Sequence, residues 1–144
     1  MISRRSLLLA AGSAAVLAGL AGVATVVPSL DPVTQARAGE MKTWDAAAFA
    51  AAQAEGRPIL VEIHATWCTV CARQRPIIGS LAAESRFADM VIFTVDYDSQ
   101  KDVVRSFGAT RQGTLIAFNG ADETGRLVYE SREDRIEAVM ASAI

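Results

Sequence analysis

The sequence predicts an α/β fold in which helices flank a central mixed β-sheet. Two observations support this prediction. Between residues 43 and 108, segments with helix signals alternate with short apolar runs rich in β-branched residues, the arrangement that builds parallel strands. Two strand-like runs then follow one another with no helix between them, which indicates an antiparallel hairpin at one edge of the sheet.

The first four elements read helix, strand, helix, strand. An alanine-rich segment with Thr43 as N-cap and Gly56 as stop predicts the first helix, and Pro58 then opens an apolar run. The second helix carries Pro76, which removes one backbone donor. The predicted ranges are a helix at 43–55, a strand at 59–65, a helix at 71–84 and a strand at 90–98.

The remaining elements are a short helix, the hairpin and a terminal helix. Gly108 stops the helix, and Asn119 and Gly120 begin a seven-residue connection inside the hairpin. We expect the last helix to bury one apolar face, and most aromatic side chains to belong to the core. The ranges are 101–107, 114–118, 126–131 and 133–143; the buried face is Ile136, Val139 and Met140; the core aromatics are Trp44, Phe49, Phe93, Phe107 and Phe118.

Residues 1–38 differ in composition from the rest of the chain. Arg4 and Arg5 precede an Ala/Gly-rich apolar run, and Ala36 and Ala38 form a small-x-small site, a layout that resembles a bacterial twin-arginine export signal. We expect cleavage after Ala38; the alternative is a retained anchor, because residues 7–27 are long enough to span a bilayer. Residues 39–144 carry 11 basic and 15 acidic side chains, a net charge of −4, which argues against a nucleic-acid partner.

The stretch HATWCTVC at 64–71 contains both cysteines and the single histidine of the chain. Cys68 lies where a buried strand passes into a helix, so unpaired N–H groups of the first turn favour its thiolate. Cys71 follows one turn later, and such a pair has its Cα atoms roughly 5 Å apart, within the range that a disulfide tolerates. We expect the sulfur of Cys68 to be exposed and that of Cys71 to lie beneath it.

Three interpretations of this pair are open. A structural staple is disfavoured because so small a ring adds little stability. A metal site would use both sulfurs and His64, but zinc prefers four ligands and the chain has no other Cys or His. Redox exchange fits best, with Cys68 attacking a disulfide and Cys71 resolving the mixed disulfide. No cofactor is expected.

Two polar residues in the preceding strand belong to this hypothesis. Cys71 must lose a proton in a buried place, and Glu62 is a candidate to accept it, the alternative being a side chain that points into solvent. His64 lies on the same face of the strand, either simply packed or tuning the thiols.

The segment 61–71, VEIHATWCTVC, together with Pro76, resembles the active-site segment of the thioredoxin family. The resemblance covers residues 42–144 and implies a thioredoxin-like fold. It further implies that Cys68 is the nucleophile, Cys71 the resolving thiol, Trp67 a surface residue beside the site and Glu62 the buried acid. Thr69 and Val70, between the cysteines, carry no charge, which favours a moderately reducing pair.

The sequence also departs from the family. Gly113, before Thr114, occupies the place of the family's cis-proline, so we expect a trans bond or a conformation that glycine tolerates. His64 replaces an aromatic residue, and the N-terminal strand of thioredoxin is not predicted.

The sequence therefore predicts a thiol-disulfide oxidoreductase of the periplasm that acts on protein thiols or disulfides, most readily as a reductant. Repeated reduction requires electrons, for which the expected donor is a membrane disulfide reductase. Contact with the membrane is expected only through an uncleaved N-terminal segment. The competing hypotheses are a thioredoxin-fold binding module and a metal or iron-sulfur carrier.

Overall fold

The computed structural model describes residues 39–144, which form a five-stranded sheet with helices on both faces. The predicted export segment and its cleavage site lie outside the described residues. Within residues 39–144 no helix is both long and apolar enough to cross a membrane. The elements in chain order are β1 (Glu40–Thr43), α1 (Ala46–Ala54), β2 (Pro58–His64), α2 (Thr69–Ala82), a 3₁₀ helix (Ser85–Phe87), β3 (Val91–Asp96), α3 (Lys101–Ser106), β4 (Thr114–Asn119), β5 (Asp122–Val128) and α4 (Glu133–Ala141).

The sheet has the mixed topology that the sequence predicts. Its strand order is β1-β3-β2-β4-β5. Strands β1 and β2 both run parallel to β3, β4 runs antiparallel to β2, and β5 pairs antiparallel with β4. The parallel pairs join strands that at least one helix separates along the chain, whereas the short connection between β4 and β5 makes that pair antiparallel. The β4–β5 hairpin lies at one edge of the sheet.

Alternate residues of the central strands serve two different cores. Leu60 of β2 packs with Ile78 and Leu81 of α2 and with Met140 of α4. The neighbouring positions of β2 face α1 and α3, where the predicted aromatic core forms a cluster of tilted and edge-to-face rings. Because side chains alternate along a strand, Glu62 and His64 share the face of Leu60, which α2 covers.

The prediction for the first helix is wrong at its start. Thr43 does not cap α1 but ends β1, and Asp45 is the cap, with its Oδ1 accepting from Ala48 N–H at 2.7 Å. An N-terminal strand is therefore present, contrary to the sequence-based expectation. All four residues of β1 are exposed, and backbone bonds hold the strand, such as Glu40 N–H to Met90 O at 2.9 Å. A fully exposed edge strand has no apolar alternation for a sequence to display.

The hairpin is also tighter than predicted. Strand β5 begins at Asp122 rather than Arg126 and ends at Val128 rather than Ser131, so only two residues join it to β4. Its first half is polar and exposed, and a register irregularity at Ala117 shifts the pairing. These features conceal the strand from hydrophobic patterning. The other predicted elements occur within a few residues of their expected bounds, and Ile136, Val139 and Met140 are buried as expected.

Candidate active site

The two cysteines form a disulfide at the junction between β2 and α2. A turn after β2, closed by Cys68 N–H to Ala65 O at 3.1 Å, brings Cys68 to the N-cap of α2. The Cα atoms of Cys68 and Cys71 are 5.3 Å apart, which agrees with the spacing predicted for one helical turn. The strand-to-helix transition therefore places the pair at the positive end of a 14-residue helix.

Cys68 is more buried than predicted, whereas Cys71 is buried as expected. Cys68 is 3% exposed and Cys71 is 0% exposed. Ala65 and Val70 are buried with them, and Tyr97 packs against this group. The expectation of an exposed first sulfur is wrong for this disulfide form, although Cys68 is the more accessible of the two.

Backbone geometry favours negative charge on the Cys68 sulfur. The N–H of Cys71 points at Cys68 Sγ at 3.1 Å, so the side chain accepts a hydrogen bond that the first turn of the helix would otherwise leave unmade. A thiolate at Cys68 would receive the same donor together with the field of the helix. Reduction of the disulfide therefore leaves a nucleophile at the sulfur nearer to solvent.

Glu62 is a buried carboxyl group and not a solvent-facing strand residue. It is 0% exposed. Its Oε1 lies 3.3 Å from His64 Nδ1, and its Oε2 accepts from the hydroxyl of Thr94 at 3.2 Å. The structure thus brings Glu62 and His64 together on the sheet face that carries α2.

The sulfur of Cys71 contacts the backbone of β2 beside Glu62. The sulfur of Cys71 lies 4.0 Å from the carbonyl oxygen of Ile63, the residue between Glu62 and His64. In the disulfide form Cys71 carries no proton to donate, so no hydrogen bond from Cys71 to Glu62 can form in this state. Both groups are fully buried on one side of the sheet, which restricts the acceptors open to the Cys71 proton.

Trp67 flanks the pair at the surface, as predicted. Its side chain is 59% exposed, and the indole N–H donates to Asp98 Oδ2 at 2.7 Å. Tyr97 meets the ring edge-on at 6.4 Å between centroids. Asp98 is thus an anchor for the indole, a role that the sequence did not suggest. Between the cysteines, Thr69 is exposed and begins α2, whereas Val70 is 4% exposed.

Gly113 adopts a backbone conformation that glycine tolerates. Its φ is +71°, and residues 39–144 contain no cis peptide bond. Its N–H donates to Ile63 O at 2.7 Å, and its carbonyl accepts from Tyr129 N–H at 2.9 Å. Next to it, Thr114 is 1% exposed and donates to Arg111 O at 2.8 Å. Both backbone polar groups of Gly113 are therefore used inside the protein.

Gln74 is a site residue that the sequence analysis missed. It lies three residues after Cys71, is 0% exposed, and donates from Nε2 to the carbonyl oxygens of Gly113 and Glu130 at 3.1 and 2.8 Å. Its Oε1 has no partner. The i, i+3 spacing from Cys71 is the signal that could have placed it on the same helix face.

Tyr129 is the second missed residue. It is the one non-glycine residue of 39–144 with a positive φ, 54°, and its ring lies beside Gly113. The guanidinium of Arg111 lies over that ring at 3.6 Å from the centroid. No pattern in the sequence marks a tyrosine in this conformation, because it depends on contacts between β5 and the loop before β4.

The donor set required by a metal is not assembled in the described part of the chain. Across residues 39–144 no group of three or more His, Cys, Asp or Glu side chains is placed to hold a metal ion. His64 Nδ1 contacts Glu62, and the two sulfurs are bonded to each other.

Comparison with known proteins supplies the wider context. The family model described as Thioredoxin matches residues 40–142. The thioredoxin of Mycobacterium tuberculosis is 28% identical over 92 residues, which cover 64% of this chain and 78% of that protein. The bifunctional thioredoxin reductase/thioredoxin of Mycobacterium leprae is 31% identical over 84 residues, 58% of this chain but only 18% of that protein.

A solved structure agrees with these sequence matches. The crystal structure of Trxlp from Edwardsiella tarda EIB202 superposes with a TM-score of 0.68 at 33% identity. The match covers 70% of this chain and 98% of that one.

Proposed function

The chain belongs to the thioredoxin family and is a thiol-disulfide oxidoreductase, and from this premise we propose that it reduces protein disulfides in the periplasm. The observation that carries the proposal is the position of Cys68 at the N-cap of α2, where Cys71 N–H reaches its sulfur at 3.1 Å. Thr69 and Val70 add no charge, so the helix start is the main stabilisation of the thiolate. Such limited stabilisation of the reduced form is typical of a reducing pair.

The reaction proceeds in two exchanges. The Cys68 thiolate attacks one sulfur of a client disulfide, forming a mixed disulfide and releasing the first client thiolate. Cys71 then loses its proton, with Glu62 as the proposed acceptor, and attacks Cys68 Sγ. The client leaves as a dithiol, having gained two electrons, and the Cys68–Cys71 disulfide re-forms.

Residues at the start of the chain support the proposed location. Arg4 and Arg5 precede an apolar run, and a small-x-small site ends at Ala38, the pattern of a twin-arginine export signal. Outside the cytoplasm the disulfide must be reduced again before each new cycle. A membrane disulfide reductase is the proposed electron donor.

The reduction potential of the pair tests the direction of electron flow. The measurement is equilibration of the protein with dithiothreitol, followed by tryptophan fluorescence, to which Trp67 beside the pair contributes. A value of about −270 mV supports a reductant, whereas a value of about −120 mV would make the protein an oxidant.

Turnover tests the roles of the two cysteines. Cys68→Ser should lower insulin reduction to the rate of dithiothreitol alone, and reduced Cys71→Ser, mixed with insulin after removal of dithiothreitol, should trap a mixed disulfide. If Cys68→Ser retained full activity, the mechanism would be wrong.

One observation favours a second function, that of a thioredoxin-fold binding module. The backbone groups of Gly113 bond to Ile63 and Tyr129 and are not free to pair with a client segment. A client that binds a Cys68→Ser/Cys71→Ser variant as tightly as the reduced wild type would support the module. A client released by the double variant supports exchange chemistry.

A further inference from the structure

A buried carboxyl group that accepts a proton in every cycle must also return that proton to solvent. Glu62 is 0% exposed, so water does not reach it directly in this structure. Its two oxygens contact one group each, His64 Nδ1 at 3.3 Å and the Thr94 hydroxyl at 3.2 Å. A proton that leaves Glu62 therefore has two neighbouring side chains through which to pass.

Of these two neighbours, His64 is the one with the chemistry of a carrier. The imidazole can take a proton at one ring nitrogen and lose one from the other near neutral pH, whereas a threonine hydroxyl holds no extra proton in that range. The side chain of His64 is 16% exposed, so it joins a fully buried carboxyl group to the protein surface. Glu62 and His64 also lie two residues apart on one face of β2, which keeps their contact short.

The other ionisable groups near His64 hydrogen-bond to other partners. Asp96 is its register partner on β3, and bonds from Ser99 and, to a smaller extent, the charge of His64 lower the pKa of Asp96, but its Oδ1 accepts from the backbone of Asp98 and from the backbone and hydroxyl of Ser99. The hydroxyl of Tyr97 is directed to Thr110 O at 3.5 Å. The thiol of Cys71, in the first turn of α2, supplies the proton and is not the group that passes it to solvent.

We propose that His64 carries the proton between Glu62 and solvent while Cys71 releases the client. This inference rests on the proposed role of Glu62 as acceptor of the Cys71 proton. Before Cys71 attacks, its proton passes to the Glu62 carboxylate, the carboxylic acid gives a proton to His64 Nδ1, and Nε2–H gives one to water. The Cys71 thiolate then attacks Cys68 Sγ beside a Glu62 carboxylate and the Nδ1–H tautomer of neutral His64, and exchange of ring protons with water returns His64 to the Nε2–H tautomer.

The two exchanges can be timed in one reaction with Ellman's reagent, 5,5′-dithiobis(2-nitrobenzoate). Attack by Cys68 releases the first equivalent of coloured thiolate, and attack by Cys71 releases the second. The reduced full chain, whose only cysteines are Cys68 and Cys71, is mixed with the reagent in stopped flow at low buffer concentration. The first phase serves as the internal control, because it does not require the Cys71 proton.

Two substitutions separate proton transfer from structure. His64→Asn keeps a nitrogen donor near the place of Nδ1, and His64→Phe removes it, but neither side chain can carry a proton. We expect both variants to slow the second phase by roughly tenfold while the first phase stays within about twofold of wild type. Added imidazole should restore the second phase in both variants, an effect that a lost packing contact would not show.

The relay is wrong if His64→Asn releases the second equivalent at the wild-type rate or if imidazole leaves the slow phase unchanged. Glu62→Gln distinguishes the relay from the proposed function beneath it. A slow second phase in Glu62→Gln together with a normal second phase in His64→Asn would rule out the role of His64 and keep Glu62 as the acceptor of the Cys71 proton. A normal second phase in Glu62→Gln would remove the acceptor role and the relay with it.

Discussion

At the scale of single residues, Gly113 shows how a departure from a family pattern is accommodated. Its positive φ, its N–H bond to Ile63 and its carbonyl bond to Tyr129 hold the loop that faces Val70. No proline is needed for this geometry, because a glycine reaches it without a steric penalty. Hydrogen bonds therefore fix the conformation of this loop without the family's proline.

Gly113→Ala should lower the free energy of unfolding by about 1–2 kcal/mol, the cost of a left-handed conformation for an L-residue. A Cβ there would also lie 3.3 Å from the Tyr129 ring and 3.4 Å from Val70. Urea unfolding is the measurement. Gly79→Ala is the matched control, because its Cβ would meet nothing within 4 Å inside α2, and it should stabilise the protein by about 0.5–1 kcal/mol.

Restoring a proline at this position should harm the protein. Proline fixes φ near −65° and has no N–H, so Gly113→Pro conflicts with the φ of +71° and removes the bond to Ile63. We expect a larger loss in urea unfolding than for Gly113→Ala. Unchanged stability with faster insulin reduction would show instead that the loop can adopt a second conformation.

At the scale of elements, the start of α1 depends on one capping bond. Asp45 Oδ1 accepts from Ala48 N–H, so Asp45→Ala should cost about 1 kcal/mol in the free energy of unfolding. Thr43→Ala is the control, because Thr43 is exposed in β1 and should change stability by less than about 0.5 kcal/mol. The reverse ranking of the two variants would place the cap at Thr43, as the sequence alone suggests.

Helix α2 is tied to two loops beside the disulfide by the side chain of Gln74. Gln74→Leu leaves the Glu130 carbonyl without this donor, whereas Gly113 O keeps its bond from Tyr129. We expect a loss of about 1–2 kcal/mol in urea unfolding, the cost of an unmade buried hydrogen bond. Arg73→Leu, at the exposed neighbouring position, should stay within about 0.5 kcal/mol of wild type. Equal effects of the two variants would show that the bridge adds no stability.

At the scale of the whole molecule, two carboxyl groups in turns make the free energy of unfolding depend on pH. The hydroxyl and N–H of Ser99 lower the pKa of Asp96, and the backbone and side chain of Arg132 lower the pKa of Glu130. A pKa lower in the folded than in the unfolded state adds stability above the unfolded pKa, and that stability is lost as pH falls through the folded pKa. The urea midpoint should therefore be steady above about pH 5 and fall towards about pH 2.

Asp96→Asn should reduce this dependence. Its stability should differ from wild type most at pH 7, and the difference should shrink as pH falls through the lowered pKa of Asp96, where the wild-type carboxyl group also becomes neutral. Urea titrations at several pH values measure the difference. A gap that stayed constant from pH 7 to pH 2 would show that the charge of Asp96 adds nothing.

Sequence patterns were sufficient for the interior of the fold and for the reacting pair. The strands at β2, β3 and β4 are continuous apolar runs, and the helices α2 and α4 carry their signals locally, so each was predicted within a few residues. The pair Cys68 and Cys71 was equally evident, because three residues in a helical turn fix the distance between their Cα atoms.

The sequence by itself thus determined the α/β architecture and the redox pair, since each depends on local spacing or on apolar runs, but it left the burial of Glu62 open. Only the tertiary structure decided the edges of the sheet, the burial of Glu62 and its contact with Thr94, and the frame of Gln74 and Tyr129 around Gly113. These features join residues far apart in the chain, or use backbone groups that every residue possesses. Neither kind of contact leaves a periodic mark in the sequence.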